Sequence, residues 1–244
     1  MKRAKLIVIE GTDGSGKETQ SKKLVEYLTD KGLKVKSYSF PIYSSPTGRI
    51  VGGPYLGKSE ISESYFPETS ANVDPLVSSL YYAADRRYNF LNEIEEELYK
   101  NDIIVLDRYT MSNMGHQACK AKTKKDRDRI LKFIEVLEFE LCELPRPDKV
   151  IFLHMPFEAA KELRKGRTSG DGNENSESHL RHAEQTYVDI ANMYGWHYIK
   201  CLKTENYTKL EDIKSIDEIS EEIKDVVDTL LEEKSGKIQK LTKF

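Results

Sequence analysis

The sequence predicts an α/β fold in which a five-stranded parallel sheet carries helices on both faces. Five short apolar runs alternate along the chain with longer amphipathic segments, and this alternation is typical of consecutive βα units. The first run passes directly into EGTDGSGKETQ at residues 10–20, a glycine-rich stretch typical of the loop between a strand and a helix. In such a sheet, ligands bind at the carboxyl ends of the strands.

Each predicted strand is a short apolar run. The five runs are KLIVI at 5–9, VKSYSF at 35–40, IIVLD at 103–107, KVIFLH at 149–154 and HYIKC at 197–201. The predicted helices are the amphipathic segments at about 17–31, 75–100, 124–142, 157–166 and 178–194.

The longest predicted helix, at 75–100, begins at Asp74-Pro75, which supplies a cap followed by proline at the first helical position. Its apolar residues recur mostly at helical spacing, and we expect the helix to be largely buried. They are Leu76, Leu80, Ala83, Ala84, Leu91, Ile94 and Leu98.

Two later segments differ in character. Residues 166–178, GRTSGDGNENSES, contain almost no large apolar side chain, so we expect a mobile loop there. The segment 215–234 opens with Ser215 and Glu218 at capping-box spacing and continues with an apolar stripe. A packed terminal helix is the simpler interpretation of that stripe, and a partner-binding helix is the alternative.

The composition limits the class of protein. With 244 residues the chain has the length of one or two domains, and we expect a single α/β domain over residues 1–244. The formal net charge of -3 gives no overall field that would draw the chain to nucleic acid or to an anionic membrane. We therefore expect neither as a partner.

The cysteines and the first residues point to one compartment. Cys119, Cys142 and Cys201 are widely spaced, odd in number and form no C-x-x-C pair, which argues against a disulfide framework or a zinc knuckle. The start, MKRAKLIVIEGTDG, has too short an apolar run for a signal peptide or a membrane span. We expect a cytoplasmic protein.

The pattern Gly11-x-x-x-x-Gly16-Lys17 predicts a phosphate-binding loop. Its glycines let successive main-chain N–H groups turn toward one point, the following helix adds its positive end, and Lys17 can reach the β and γ phosphates. Glu18 is a departure, because the usual Ser or Thr donates its hydroxyl to magnesium. Thr19 cannot simply substitute, since one residue along a helix turns the side chain by about 100°. Either other groups and substrate phosphates hold the metal, or catalysis is impaired.

Residues that follow two other predicted strands are also candidates for ligand binding. Phe40-Pro-Ile-Tyr43 follows the second run, and Asp107-Arg108-Tyr109 follows the third. Helix capping is one interpretation of Asp107. An acid and an Arg beside a phosphate loop more often serve a metal or a second phosphate group.

Tyr82 and Arg86 stand four residues apart, which places them on one face of the 75–100 helix. Such a pair can stack on a nucleobase and donate a hydrogen bond to its edge. A core tyrosine beside a surface ion pair is the alternative.

Taken in order, these motifs resemble the thymidylate kinase family of P-loop nucleoside monophosphate kinases. The resemblance extends from the phosphate loop to the helix of Tyr187, about four-fifths of the chain. It is carried by EGTDGSGK, FPIY, LYYAADRR, VLDRYTMSN and RPDKVIFLHM. It implies the three-layer P-loop NTPase fold with a mobile lid at about 166–178.

At one end of the site, the resemblance implies residues that bind ATP. The loop would hold the phosphates through Lys17 and main-chain amides, and Asp13 would lie near the sugar 3′-hydroxyl and the metal. The implied ATP-phosphate residues are Gly11, Asp13, Gly14, Ser15, Gly16, Lys17, Glu18 and Thr19.

At the other end, the resemblance implies residues that bind dTMP. Arg108 would hold the monophosphate, Tyr82 would stack on the pyrimidine, and Phe40 would wall the pocket. Arg86 would donate to O4 and Asn113 would contact N3. The full implied set is Asp13, Phe40, Tyr43, Tyr82, Arg86, Arg108, Asn113, His116, Gln117, Asp171 and Glu174.

Family members place a catalytic Arg either in the phosphate loop or at the lid. Gly14 occupies the loop position here, so Arg167, with Arg164 as the second choice, is implied to neutralise charge on the transferring phosphoryl group. The implied catalytic set is Lys17, Asp107, Arg108 and Arg167.

Two further positions depart from the family pattern. Ile42 stands where many members carry a charged residue, so phosphate binding would depend more on Arg108 and Arg49. His116 stands where a bulky aromatic often excludes the ribose 2′-hydroxyl, which bears on discrimination between deoxy and ribo substrates.

The resemblance therefore implies a phosphotransferase that moves the γ-phosphoryl group of ATP to dTMP, giving dTDP and ADP. Mg²⁺ is the expected cofactor, with Asp13 as its protein contact, and a homodimer is expected. One alternative is a kinase for another nucleoside monophosphate or for a deoxynucleoside. The other is a non-catalytic nucleotide-binding protein in which Glu18 has removed metal binding.

Overall fold

A computed structural model of the chain describes residues 3–163 and 177–232. Its strands are β1 (Lys5–Gly11), β2 (Val35–Ser39), β3 (Ile103–Asp107), β4 (Lys149–His154) and β5 (His197–Lys200). They form one parallel sheet in the order β2-β3-β1-β4-β5. All five predicted strands and the parallel sheet are confirmed.

Helices connect the strands. The first five are α1 (Lys17–Asp30), α2 (Pro46–Ile50), α3 (Pro75–Asn89), α4 (Glu95–Glu97) and α5 (Thr110–Ala118). The others are α6 (Lys124–Glu135), α7 (Phe157–Leu163), α8 (Glu177–Tyr194) and α9 (Ile216–Glu232). Wider π-helical turns follow α2, α3 and α6 at Val51–Tyr55, Phe90–Ile94 and Val136–Leu141, and a 3₁₀ turn lies at Leu210–Asp212.

Strand β1 lies at the centre of the sheet between β3 and β4. Its side chains alternate between two cores, as a strand buried on both faces requires. Leu6 and Val8 join a core with residues of α5, α6 and α8, whereas Ile7 and Ile9 join a core with residues of α1, α7 and α9. The predicted three-layer arrangement, with helices on both faces, is confirmed.

The helix predictions are right for most of the chain but miss two segments. The short helices α2 and α5 were not predicted. α2 has only five residues, and α5 (TMSNMGHQA) mixes buried polar residues such as Asn113 and Gln117 with its buried apolar ones, which weakens the apolar pattern. The helix predicted at 75–100 is interrupted by a π turn and ends at Glu97. Of the helix predicted at 157–166, the last three residues lie outside the described ranges.

Both predicted helix caps are confirmed. A carboxylate oxygen of Asp74 accepts hydrogen bonds from the N–H groups of Leu76 and Val77 at 2.9 and 3.1 Å. In the capping box before α9, Glu218 accepts from the N–H of Ser215 at 2.6 Å, and the Ser215 hydroxyl accepts from the N–H of Glu218 at 3.1 Å.

Helix α3 is less buried than its sequence predicts. Leu80 is 50% exposed, and Leu91 in the π turn that follows is 52% exposed. Ala84 is exposed as well. Only one side of the helix packs against the protein, so the expectation of a largely buried helix is wrong for these three residues.

Helix α9 packs against α1, the helix that follows the phosphate loop. Ile219, Ile223 and Val227 of α9 are buried in the core, and Asp228 accepts a hydrogen bond from the Tyr27 hydroxyl at 2.6 Å. This packing agrees with the simpler interpretation of the terminal apolar stripe. Among residues 3–163 and 177–232, no helix has both the length and the apolar character that crossing a membrane requires.

Candidate active site

A cavity of about 700 Å³ opens at the carboxyl ends of β1, β2 and β3. One end of it is the phosphate loop between β1 and α1. In that loop Gly16 has φ +81°, a left-handed conformation that side chains disfavour, and it stands immediately before α1. The Thr12 hydroxyl donates to the Met155 carbonyl at 2.6 Å and accepts from the Met155 N–H at 3.0 Å, which fixes the loop to the end of β4.

Lys17 is buried against its own loop. Its ammonium group donates to the carbonyls of Gly11 and Thr12 at 3.0 and 2.9 Å, and its residue is 6% exposed. Burial lowers the pKa of Lys17, and the Arg108 cation lowers it further, whereas Asp13 and Glu10 oppose this shift. The side chain therefore lies inside the loop, facing the cavity.

Asp13 brings two cations together. Its Oδ1 lies 2.6 Å from Nη2 of Arg108 and 3.9 Å from Nζ of Lys17. Although burial opposes ionisation, the neighbouring cations, Arg108 first, hold the pKa of Asp13 well below its usual range. Lys17 and Arg108 thus converge on one carboxylate oxygen at the wall of the cavity.

The backbone of Arg108 adopts an uncommon conformation. Its φ is +65°, in the left-handed region that costs a non-glycine residue about 1–2 kcal/mol. Its N–H donates to the Ile9 carbonyl at 3.1 Å, which extends the β1–β3 pairing beyond the end of the strand. That turn directs the guanidinium toward Asp13 rather than into the sheet.

Glu10, at the end of β1, supports the phosphate loop through its buried carboxylate. It was not singled out in the sequence analysis. Its carboxylate is fully buried and accepts from the Gly11 N–H at 3.0 Å and from the Ser112 hydroxyl at 2.7 Å. Burial raises the pKa of Glu10, while Arg108 and Lys17 oppose this shift. Glu10 therefore ties the phosphate loop to α5.

Glu18, the departure from the usual loop pattern, lies on the outer side of α1. Its carboxylate pairs with Lys22 at 2.6 Å, and its side chain is 72% exposed. Thr19 is also exposed. Neither side chain is drawn into the phosphate loop.

Asp107, at the end of β3, accepts a hydrogen bond through one of its two carboxylate oxygens. Oδ2 accepts from the Ser39 hydroxyl at 2.9 Å, whereas Oδ1 is buried and has no hydrogen-bond partner in the described part of the chain. Asp107 also lines the cavity. A buried oxygen of this kind is a suitable ligand for a hard cation.

The far end of the cavity is formed by Tyr82, Arg86 and Asn113. The guanidinium of Arg86 lies 6.0 Å from the centre of the Tyr82 ring, so the two share one helix face, as their spacing predicts. Arg86 and Asn113 are almost completely buried, and both bind the carboxylate of Glu138. Glu138 was not singled out in the sequence analysis. The available signal was its position four residues after Ile134, which places a charged residue on the apolar face of its helix.

The loop after β2 is held by a second buried carboxylate, Asp85, which the sequence also missed. Asp85 accepts from the Ile42 N–H at 3.1 Å and from the hydroxyls of Ser45 and Thr47 at 3.3 and 3.1 Å. The amide of Asn89 donates to it at 2.8 Å. These contacts fix the loop that carries Phe40 and Tyr43 against α3.

His116 faces the cavity and stacks on His179 of α8, with ring centres 5.5 Å apart. Their nearest ring nitrogens are 3.3 Å apart. Burial lowers the pKa of His116 to about 3 and that of His179 to about 4, so both rings are neutral at physiological pH.

The cavity collects residues predicted from distant parts of the sequence. Those that line it are Asp13, Gly14, Gly16, Lys17, Glu18, Thr19, Phe40, Tyr43, Tyr82, Arg86, Asp107, Arg108, Asn113 and His116. Other predicted residues do not line it: Gly11 and Ser15 are buried in the loop, Arg49 is exposed on α2, and Gln117 is fully buried in α5. The predicted lid residues Arg164, Arg167, Asp171 and Glu174 lie outside the described residues.

Comparison with known proteins identifies a family and several similar proteins. A model of the family described as thymidylate kinase matches residues 9–213. The chain belongs to the thymidylate kinase family. Human thymidylate kinase is 28% identical over 249 residues, covering 98% of this chain and 99% of that protein. The thymidylate kinase of Caldicellulosiruptor saccharolyticus is 28% identical over 238 residues, covering 95% of this chain and all of that protein.

A solved structure of thymidylate kinase from Candida albicans has the same fold, with a TM-score of 0.66 at 23% identity over 93% of this chain and 92% of that one. As a member of the thymidylate kinase family, the chain is an ATP-dependent nucleoside monophosphate kinase, and the P-loop fold implied by its motifs is confirmed.

Proposed function

We propose that the chain transfers the γ-phosphoryl group of ATP to dTMP, giving dTDP and ADP. The observation that carries the proposal is the convergence of Lys17 and Arg108 on Asp13 inside a cavity that continues to Tyr82 and Arg86. A phosphate loop at one end and the polar and aromatic side chains of Tyr82, Arg86 and Asn113 at the other suit two nucleotides that meet end to end.

The chain's own groups would act mainly by position and charge. Lys17 would exchange its two carbonyl partners for β and γ phosphate oxygens, and Arg108 would hold the acceptor phosphate. Because Lys17 is buried and Arg108 is only partly exposed, their attraction for the charge that develops in the transition state is stronger than in bulk water. No covalent enzyme intermediate is needed.

Magnesium is the cofactor that the family implies. The partnerless Oδ1 of Asp107 fits a hard cation, whereas one oxygen of Asp13, the predicted metal contact, is paired with Arg108. The described residues contain no group of three or more metal-ligating side chains, which suits Mg²⁺ because it commonly keeps waters and substrate phosphates as ligands. When bound, the ion would neutralise charge on the phosphates.

Asn113 supports thymine as the acceptor base. Its Nδ2 donates to Glu138 and to the Ser79 carbonyl, so its Oδ1 is identified as an acceptor, and that oxygen is buried without a partner among the described residues. Thymine offers a donor at N3 and an acceptor at C4. Arg86 supplies the complementary donor on the same wall.

We also infer a homodimer and a cytoplasmic location. The outer side of α3 and the turn after it expose a stripe of large apolar side chains, which suits a helix-to-helix contact between two copies. The stripe consists of Val77, Leu80, Tyr88 and Leu91. All three cysteines are unpaired, which fits a reducing compartment.

The proposal is tested by an ADP-release assay with ATP, Mg²⁺ and a panel of dTMP, dUMP, dCMP, dAMP and thymidine. We expect dTMP to give the highest kcat/KM. Turnover only with another monophosphate or with thymidine would reassign the acceptor. If ATP raises the melting temperature but no acceptor is phosphorylated, the chain is a non-catalytic nucleotide-binding protein.

A further inference from the structure

Glu138 is a buried carboxylate behind the pocket wall. It is 0% exposed, lies in the π turn after α6, and does not line the cavity. A carboxylate in this position loses its hydration and remains charged only if donors replace the water. Its surroundings supply four such donors.

The four donors share the two oxygens of Glu138 equally. Oε2 accepts from Nε of Arg86 at 2.5 Å and from the Thr110 hydroxyl at 2.9 Å. Oε1 accepts from Nη2 of Arg86 at 2.6 Å and from Nδ2 of Asn113 at 2.8 Å. Helices α3 and α5 therefore both bind the carboxylate of the π turn, each through a residue that faces the pocket.

These bonds determine which polar atoms remain for a ligand. Two of the three guanidinium nitrogens of Arg86 bind Glu138, and Nη1 has no hydrogen bond to any described residue. Asn113 uses its amide nitrogen on Glu138 and the Ser79 carbonyl, which leaves its buried oxygen without a partner in the described ranges. The wall therefore keeps donor groups on Arg86 and one acceptor oxygen on Asn113 that no described residue binds.

We infer that Glu138 is a positioning residue that sets the base specificity of the pocket by fixing the donor at Arg86 and the acceptor at Asn113. The inference rests on the proposed function. A pyrimidine with N3–H and a C4 carbonyl matches this pair of atoms. Cytosine reverses both, since its N3 is an acceptor and its C4 amine is a donor, and it leaves buried polar groups unpaired.

The test compares Glu138→Gln with Glu140→Gln, an exposed glutamate in the same turn that serves as the matched control. In the Glu138→Gln protein, an NH₂ group replaces one of the two carboxylate oxygens. This group cannot accept the hydrogen bonds that the oxygen accepted, so Arg86 or Asn113 has to move. We expect the ratio of kcat/KM for dTMP to that for dCMP to fall by about tenfold or more. The fall should come through the KM for dTMP, with the KM for ATP unchanged, and the control should keep the wild-type ratio.

Comparison with dUMP separates specificity from simple damage. dUMP presents the same N3 and C4 groups as dTMP, so Glu138→Gln should weaken both and leave their ratio as in the wild type. Partial unfolding would lower kcat/KM for all three substrates by the same factor and leave every ratio unchanged. That result would overturn the inference. If Glu138→Gln does not fold, Glu138→Asp, which keeps the charge but cannot reach all four donors, should lower the same dTMP-to-dCMP ratio, and an unchanged ratio would again reject the inference.

The two proposals fail in different ways. A wild-type protein without activity on dTMP refutes the proposed function. A wild-type protein that is active on dTMP, together with a Glu138→Gln protein of unchanged dTMP-to-dCMP ratio, refutes only the role of Glu138.

Discussion

Two main-chain carbonyls of the phosphate loop accept hydrogen bonds from the ammonium group of Lys17. The protein itself therefore positions this side chain at the cavity wall. We predict that Lys17→Met lowers kcat by about 10²–10³-fold, because one charged donor to the transferring group is removed. Lys22→Met is the matched control, since Lys22 lies on the outer face of the same helix and pairs with the exposed Glu18. A steady-state ADP-release assay measures both, and equal activity of the two variants would contradict the role of Lys17.

Glu18 stands where a hydroxyl usually binds the metal, yet it pairs with Lys22 in solvent. Because an exposed ion pair contributes little, Glu18→Ala should change kcat and the Mg²⁺ concentration for half-maximal rate by less than about threefold. Titration of the rate with Mg²⁺ measures this. A large gain in activity would mean that the carboxylate impairs metal binding in the natural sequence.

At the scale of single residues, the sequence predicts contacts that a motif carries and misses those that folding creates. Lys17, Asp107 and Arg108 belong to recognisable patterns and do line the cavity. Asp85 and Glu138 act mainly through partners far away in the chain, so no sequence spacing indicates their roles. The predicted roles of individual residues stay predictions until variants are measured.

At the scale of elements, strand prediction succeeds best for β1, β3 and β4, because these buried parallel strands are nearly continuous apolar runs. Helix α5 fails the same test, since it buries Thr110, Asn113 and Gln117 together with its apolar residues. The π turn after α3 also cannot be predicted, because the sequence period does not change visibly where the backbone widens.

The loop after β2 depends on α3 through Asp85. We predict that Asp85→Ala raises the KM for dTMP by about tenfold, because the Ile42 N–H and the two hydroxyls lose a buried acceptor, a cost of about 1–3 kcal/mol for an unpaired group. The KM for ATP should not change. Asp85→Asn keeps the shape of the side chain and should give an intermediate effect. A uniform loss of activity without a change in either KM would indicate unfolding instead.

At the scale of the whole molecule, the neutral pair of His116 and His179 makes stability depend on pH. The folded pKa of His179, about 4, lies below its unfolded value, so the unfolded chain binds more protons as pH falls. Stability is therefore lost as pH falls from about 6.5 toward 4, and His179 accounts for about 2 kcal/mol between pH 7 and pH 5.

This dependence can be measured by calorimetric melting at pH 7 and pH 5. The His179→Gln protein should lose less stability over that interval than the wild type, because glutamine does not titrate. His182→Gln is the control, since His182 is exposed. Equal losses in the wild type and His179→Gln would exclude His179 as the source.

The apolar stripe on α3 predicts self-association of the whole molecule. Leu80→Glu should shift the chain from dimer to monomer in sedimentation velocity, because a charge in a desolvated helix contact is unfavourable. Leu210→Glu is the matched control, as both leucines are 50% exposed and Leu210 lies on a different surface. A wild-type monomer at all concentrations would reject the proposed dimer.

The position of β1 in the sheet has a consequence for biosynthesis. β1 precedes both of its neighbours in the chain, which begin only at Ile103 and Lys149. While the ribosome is still making those segments, this strongly apolar strand has two open edges and no permanent cover. Folding must therefore wait for distant parts of the chain, so β1 stays open to incorrect strand pairing in newly made protein until β4 emerges.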